Sequence, residues 1–238
     1  MKVVVLAAGK GQRLRGIVHD VPKPMVKVKG KPVLEHNIEW LKKYEITELY
    51  INLHYLPDVI ENYFGDGNRF GVNITYSYES HLLGTAGAVK KIADEYWGGK
   101  PDEPFIVAYG DNVLSDFELD QIMDFQNSKN GIGTVCLYHN PEQVSKSGVA
   151  VIDKNCRILK FVEKPSSGKS VGDLINTGIY ILKPQILSYI PPGSVCDFGA
   201  DVFPSIIADG QALYGIVMQK KLIAIDTPEL FQRVVGKL

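Results

Sequence analysis

Short β-branched runs alternate with stretches of helical period through the first half of this chain, and no other feature limits its fold as much. Residues 3–6, 49–53, 72–76 and 105–108 read as strands, and residues 33–44, 58–64 and 85–97 as helices. That alternation predicts an α/β fold in which a mostly parallel sheet is covered by helices on both faces. In the segment after Pro32, Leu34, Ile38 and Leu41 recur at steps of four and three and form one apolar stripe, while Lys42, Lys43 and Glu45 make a polar last turn. The stripe is assigned to the core. After Gly110 the rhythm changes to a helix at about 118–127, a strand around 134–137, a hairpin about Asp153-Lys154-Asn155 and a strand at 176–182. Helical stretches near 184–189 and 200–207, two short strands and a closing helix from Pro228 complete the expectation. No repeat, low-complexity run or linker interrupts residues 1–238, so one domain with two sub-regions is expected.

Composition narrows the partners. Lys and Arg total 26 against 27 Asp and Glu, so the chain lacks the global positive field that holds a nucleic-acid backbone or an anionic membrane. Neither partner is expected, and an anionic ligand must be met by a local cluster. Cys136, Cys156 and Cys196 are odd in number and widely spaced, which fits neither a disulfide framework nor a metal-ligand pair. A reducing cytoplasm is the simplest setting. The apolar run from Val3 to Ala8 is too short for a membrane span and reads as a buried strand.

That run leads directly into Gly9-Lys10-Gly11-Gln12-Arg13-Leu14-Arg15. Glycines let a backbone approach a phosphate and aim N–H groups at it, and Arg13 adds a fork of donors for the same oxygens. Two familiar phosphate motifs fail here: the dinucleotide fingerprint needs a third glycine where Leu14 stands, and the P-loop needs Gly-Lys-Ser/Thr where Gly16 is followed by Ile17. A dozen residues on, Pro22-Lys23-Pro24 holds a lysine between two prolines. Such rigidity suits a lysine that must reach a triphosphate with little loss of side-chain freedom. The bland alternative is a surface lysine in a proline turn.

Together with LLGTAGAV, YGDN, FVEKP, NTGIYIL and DFGADVFP, the segments LAAGKGQRLR and VPKPM resemble the sugar nucleotide pyrophosphorylases, the nucleotidyltransferases that act on sugar 1-phosphates. The resemblance runs nearly the whole chain. It implies a Rossmann-like α/β fold with a mixed, mainly parallel central sheet, about residues 1–110 serving mainly the nucleotide and about 111–238 mainly the sugar phosphate. It also implies transfer of a nucleoside monophosphate from an NTP to a sugar 1-phosphate with Mg²⁺ as cofactor.

Carried over by position, Gly9, Gly11 and Arg13 fall in the triphosphate cradle, Leu6 and Ala8 fall among the nucleotide-binding positions, and Lys23 matches the residue that stabilises charge on the transferring phosphate. Glu79, Gly84 and Thr85 fall where the family meets the nucleobase. A carboxylate at Glu79 could accept from both the ring N–H and the amine of guanine, which tilts the reading towards GTP over UTP, dTTP or CTP. Asp111, at a strand's carboxyl end, offers the hard oxygen that Mg²⁺ requires, although Gly-Asp-Asn is also an ordinary turn. Asn112, Gly148, Glu163, Lys164, Asn176 and Thr177 match the sugar-phosphate contacts.

Near the C-terminus the pattern departs. Many relatives carry Trp-x-Asp-x-Gly-Thr, whose aspartate is the second metal ligand, but in strict register this chain has Ala224 there. The ligand is assigned instead to Asp226, which could equally cap the closing helix. Arg13, Lys23 and Asp111 are the expected catalytic residues. The attacking phosphate oxygen is already anionic and needs no general base, so His19 is read as incidental. A non-catalytic sugar-nucleotide sensor is the rival that Ala224 favours, and the sequence leaves a homo-oligomer open.

Overall fold

The computed structural model describes residues 1–9, 11, 21–114, 117–166, 171–219 and 223–224. In chain order its elements are β1 (Val3–Leu6), β2 (Lys27–Val28), β3 (Lys31–Pro32), α1 (Val33–Lys43), β4 (Glu48–Leu53), α2 (Pro57–Phe64), β5 (Asn73–Tyr78) and α3 (Gly84–Tyr96). There follow β6 (Phe105–Tyr109), β7 (Asn112–Val113), α4 (Leu119–Ser128), β8 (Gly133–His139), β9 (Gly148–Ile152), β10 (Ile158–Glu163) and β11 (Leu174–Leu182). Last come α5 (Phe203–Ala208), β12 (Leu213–Val217) and β13 (Ile223–Ala224). The mixed α/β class expected from the alternation is the one observed. The helix expected from Pro228 lies outside the described residues.

These elements form two compact units. The first comprises Met1–Leu82 and Ala108–Phe117, together with β13. In it β1 runs parallel to β4 and β4 to β5, in register from Val3 opposite Leu49 and from Glu48 opposite Asn73. Val3, Val4 and Val5 are completely buried. So are Leu34, Ile38 and Leu41, as the stripe on α1 predicts. The β2–β3 hairpin was not legible as strands. Its turn places Lys29 and Gly30 both at positive φ, the requirement of the tight turn whose twist matches paired strands.

The second unit comprises Leu83–Val107 and Glu118–Lys221. There β9 pairs antiparallel with both β10 and β11, β11 with β8, and β12 runs parallel to β8. The β9–β10 hairpin is the one expected about Asp153. Phe161, Tyr180, Phe198 and Phe203 pack ring against ring, with centroids 5.1–5.6 Å apart, a spacing at which edge and face contacts add to the burial of apolar area. The expected helix at 200–207 begins differently, since Phe198–Val202 is a single π turn before α5.

Among the described residues no helix is long and apolar enough to cross a membrane. Burial pushes the thiols of Cys136 and Cys196 above the ordinary range, which suppresses the reactive thiolate. Cys156 is part-exposed and in no disulfide. Iodoacetamide at neutral pH is therefore expected to alkylate Cys156 in the folded protein and to leave Cys136 unlabelled; peptide mass analysis reads the result.

Candidate active site

In the first unit, the chain leaves β1 through a set of fixed backbone groups. Gly110 N donates to Leu6 O at 2.9 Å, and Ala7 N donates to the side-chain oxygen of Asn52 at 2.7 Å. The other end of that amide donates to Glu79 Oε1, also at 2.7 Å. Asn52 and Glu79 are both buried, so one side chain ties the start of the glycine turn to the carboxylate expected to meet the base. Ala8 is buried and Gly9 exposed. Gly11 has φ +56°, and a side-chain carbon there would stand 3.3 Å from Lys23 Cβ. The turn thus needs glycine both for its left-handed backbone and for its approach to the lysine. Arg13 and His19 lie outside the described residues.

Lys23 opens a short 3-10 turn, Lys23–Met25, and is not the surface residue of the bland alternative: it is 8% exposed. Its Nζ lies 2.5 Å from Asp111 Oδ2. A buried ammonium requires a counter-charge, and the carboxylate that supplies it keeps 30% of its own side-chain surface in water. Asn112, next along, is buried in β7.

The donors present suit magnesium in one respect and not in another. Among the described residues no three His, Cys, Asp or Glu side chains gather as a protein-built cage would need. Mg²⁺, however, is ordinarily held by one or two carboxylates together with substrate phosphates and water, and a partly exposed Asp111 meets that description. Asp226, the other expected ligand, lies outside the described residues, while Ala224 pairs with Asn112 in the two-stranded ladder of β13 and β7.

In the second unit, Gly84 has φ +74° and a side-chain carbon there would come within 2.5 Å of Cys196 O. Thr85 N and Oγ1 both bond Asp197 Oδ1, at 2.9 and 3.0 Å, and Phe198 N donates to Thr85 Oγ1 at 2.9 Å. The first turn of α3 is thereby joined to the segment entering the π turn. Thr85 offers its hydroxyl to that join, a role its sequence position did not suggest.

Glu163 ends β10 opposite Gly148. Side-chain carbons at Gly148 and Gly199 would fall 2.8 and 2.4 Å from Glu163 Oε2, so two bare backbones make room for one carboxylate. Its other oxygen lies 3.2 Å from Lys164 Nζ. Lys164 has φ +45°, an uncommon conformation for a side-chain-bearing residue and one that concentrates at functional sites. Asn176 bonds Gly178 N through Oδ1 at 2.9 Å and Tyr180 OH through Nδ2 at 2.6 Å, bracing the irregularity that interrupts the β11–β8 register. Thr177 is completely buried, its hydroxyl donating to Cys136 O at 2.9 Å. That bond ties β11 to β8 at this position.

Sequence reasoning missed Asn37, Asn52, Asp197 and Gly199. The last two lie within DFGADVFP, a motif noticed but given no roles. The asparagines stand among apolar residues and give no periodic signal.

The nucleotidyl transferase family model matches residues 2–222. A UTP–glucose-1-phosphate uridylyltransferase of Synechocystis sp. is 38% identical over 100% of this chain and 63% of its own length. A probable mannose-1-phosphate guanylyltransferase of Oryza sativa is 37% identical over 92% of this chain and 59% of its own. The chain thus spans less than two thirds of these relatives. Crystal structures agree over nearly everything: HddC from Yersinia pseudotuberculosis complexed with GMP-PN has a TM-score of 0.80 at 27% identity, covering 99% of this chain and 98% of that one. A candidate glucose-1-phosphate thymidylyltransferase from Bacillus anthracis, in complex with a sucrose, has a TM-score of 0.85 at 26% identity over 100% and 94%. With the family's motifs in order and its fold present along the whole length, this chain belongs to the nucleotidyl transferase family.

Proposed function

We propose that the protein transfers a nucleoside monophosphate from an NTP to a sugar 1-phosphate and releases pyrophosphate. The observation that carries this reading is the pairing of buried Lys23 with the partly exposed Asp111, beside Gly11, in a chain of this family. Each partner has a replacement in such a reaction: a phosphate oxygen for Lys23 and a cation for Asp111. GTP is the first nucleotide to test, because Glu79, held by Asn52, can accept guanine's ring N–H. The guanylyltransferase relative and the GMP-PN complex support that choice, while the uridylyltransferase relative makes UTP the second.

In the reaction, an anionic oxygen of the sugar 1-phosphate forms a bond to the α-phosphorus as the bond to the pyrophosphate oxygen breaks. No proton need be removed from that nucleophile. Among the described histidines, His36 and His54 have ring nitrogens against the carbonyls of Val28 and Glu79, which suits positioning rather than proton transfer. Lys23 and Arg13 are assigned to charge on the transferring phosphate, and the glycine turn to the triphosphate through its N–H groups. Magnesium, held by Asp111 and Asp226, would supply charge neutralisation across the phosphates. Lys164 is assigned to the sugar's phosphate, with Glu163, Asn176, Asn112 and the backbone at Gly148 assigned to its hydroxyls.

Pyrophosphate release measured with GTP, UTP, CTP and dTTP against mannose, glucose and heptose 1-phosphates tests the proposal. One productive pair is expected. Binding of a nucleotide sugar without any release would instead favour the sensor reading, for which Ala224 in β13 is the supporting observation. Lys164→Ala is expected to raise the KM for the sugar phosphate about tenfold, the effect of losing one charge-assisted contact, with the KM for NTP within about twofold. A change confined to the NTP would overturn the division of labour.

A further inference from the structure

Helix α1 presents Asn37 and Trp40, three residues apart and hence on one face, and Tyr44 follows at the helix's C-terminal cap. All three side chains end on the backbone of Asn112, Leu114 or Phe117. Asn37 Nδ2 donates to Asn112 O at 2.8 Å, and Leu114 N donates to Asn37 Oδ1 at 3.0 Å. Trp40 Nε1 and Tyr44 OH both donate to Phe117 O, at 2.7 and 3.4 Å. Asn37 is completely buried. An amide in that position has no helix propensity to recommend it and would be costly to bury without partners.

Its two bonds have a particular form. In an extended strand, residues i and i+2 turn their polar groups to the same edge, so the C=O of Asn112 and the N–H of Leu114 are the pair a neighbouring strand would engage. The amide of Asn37 takes that neighbour's place, and β13 pairs with β7 through Val113 and Asn112. On the other side of Asp111, Gly110 N is fixed to Leu6 O. The residue expected to hold the cation therefore sits between two anchored neighbours.

We propose that Asn37 is a positioning residue for the Asp111 carboxylate, setting from helix α1 the place at which a divalent cation is held. This rests on the reading of Asp111 as a metal-binding group. Partners that orient a ligand without touching the metal commonly change metal affinity by 10–100-fold when removed.

Mn²⁺ binding followed by electron paramagnetic resonance, with the metal alone and with GTP, tests it in the full chain. Asn37→Ala is expected to weaken Mn²⁺ binding about tenfold or more. Asp111→Asn should weaken it at least as much, and the double variant no further than Asp111→Asn, because both act through one carboxylate. Trp40→Phe removes its bond at Phe117 and part of a buried ring while leaving the bonds to Asn112 and Leu114; it controls for general loosening and should leave Mn²⁺ affinity within about twofold. Should Asn37→Ala not fold, Asn37→Ser gives the same readout with a smaller change. Wild-type Mn²⁺ affinity in the Asn37 variant, with Asp111→Asn impaired, overturns the inference and leaves the metal reading standing. Wild-type affinity in Asp111→Asn overturns both.

Discussion

Lys23→Ala is expected to lower turnover by on the order of 10²–10³, the cost of removing one preorganised electrostatic group from a transition state. Nucleotide affinity should change less than tenfold, because the lysine's charge matters most as negative charge crowds the α-phosphate. The expectation depends on preorganisation. Lys23 is held by flanking prolines and by its 2.5 Å pairing with Asp111, so little reorganisation is left for the moment of reaction. Single-turnover and steady-state pyrophosphate release, set beside GTP titration, separate the two quantities. Normal turnover in the variant would remove Lys23 from the mechanism.

Asp111→Asn should cost turnover at least as much, with partial recovery at raised Mg²⁺ or with Mn²⁺, since the substitution keeps size and hydrogen-bonding capacity but deletes the charge. A second consequence follows from the ion pair: Lys23, 8% exposed, loses this counter-charge. The stability lost should stay below the roughly 3–5 kcal/mol of a fully buried pair, because Asp111 is itself partly in water. Comparison with Asp226→Asn completes the test. An asparagine caps a helix about as well as an aspartate, so near-wild-type turnover at low Mg²⁺ in Asp226→Asn would leave Asp111 as the protein's one carboxylate on the metal.

Legibility in the sequence followed the physics of each feature. Strands β1, β4 and β6 and helices α1 and α3 carry enough periodic apolar residues to be read directly. The two-residue strands β2 and β3 carry no period at all, and only Gly30 hinted at their turn. The π turn at Phe198–Val202 could not be distinguished from a helix, because both bury residues at nearly the same spacing. At the site, Lys23 and Asp111 were legible one by one from the motifs around them. Their pairing was not, since 88 positions separate them and nothing local links their side chains. Asn37 and Asn52 were invisible for a related reason: a buried amide is explained only by the backbone groups it meets, which come from distant segments.

The ladder between β7 and β13 has a consequence for the making of the protein. Asn112 meets Ala224, so the segment bearing Asp111 lacks one of its neighbours until the ribosome has added more than a hundred further residues. Helix α1, by contrast, is synthesised before that segment, and Asn37 and Trp40 are present to receive it as it emerges. Long-range closures of this kind are slow relative to local ones. The contacts of α1 with Asn112 and Leu114 thus close a shorter loop of chain than the β7–β13 ladder does.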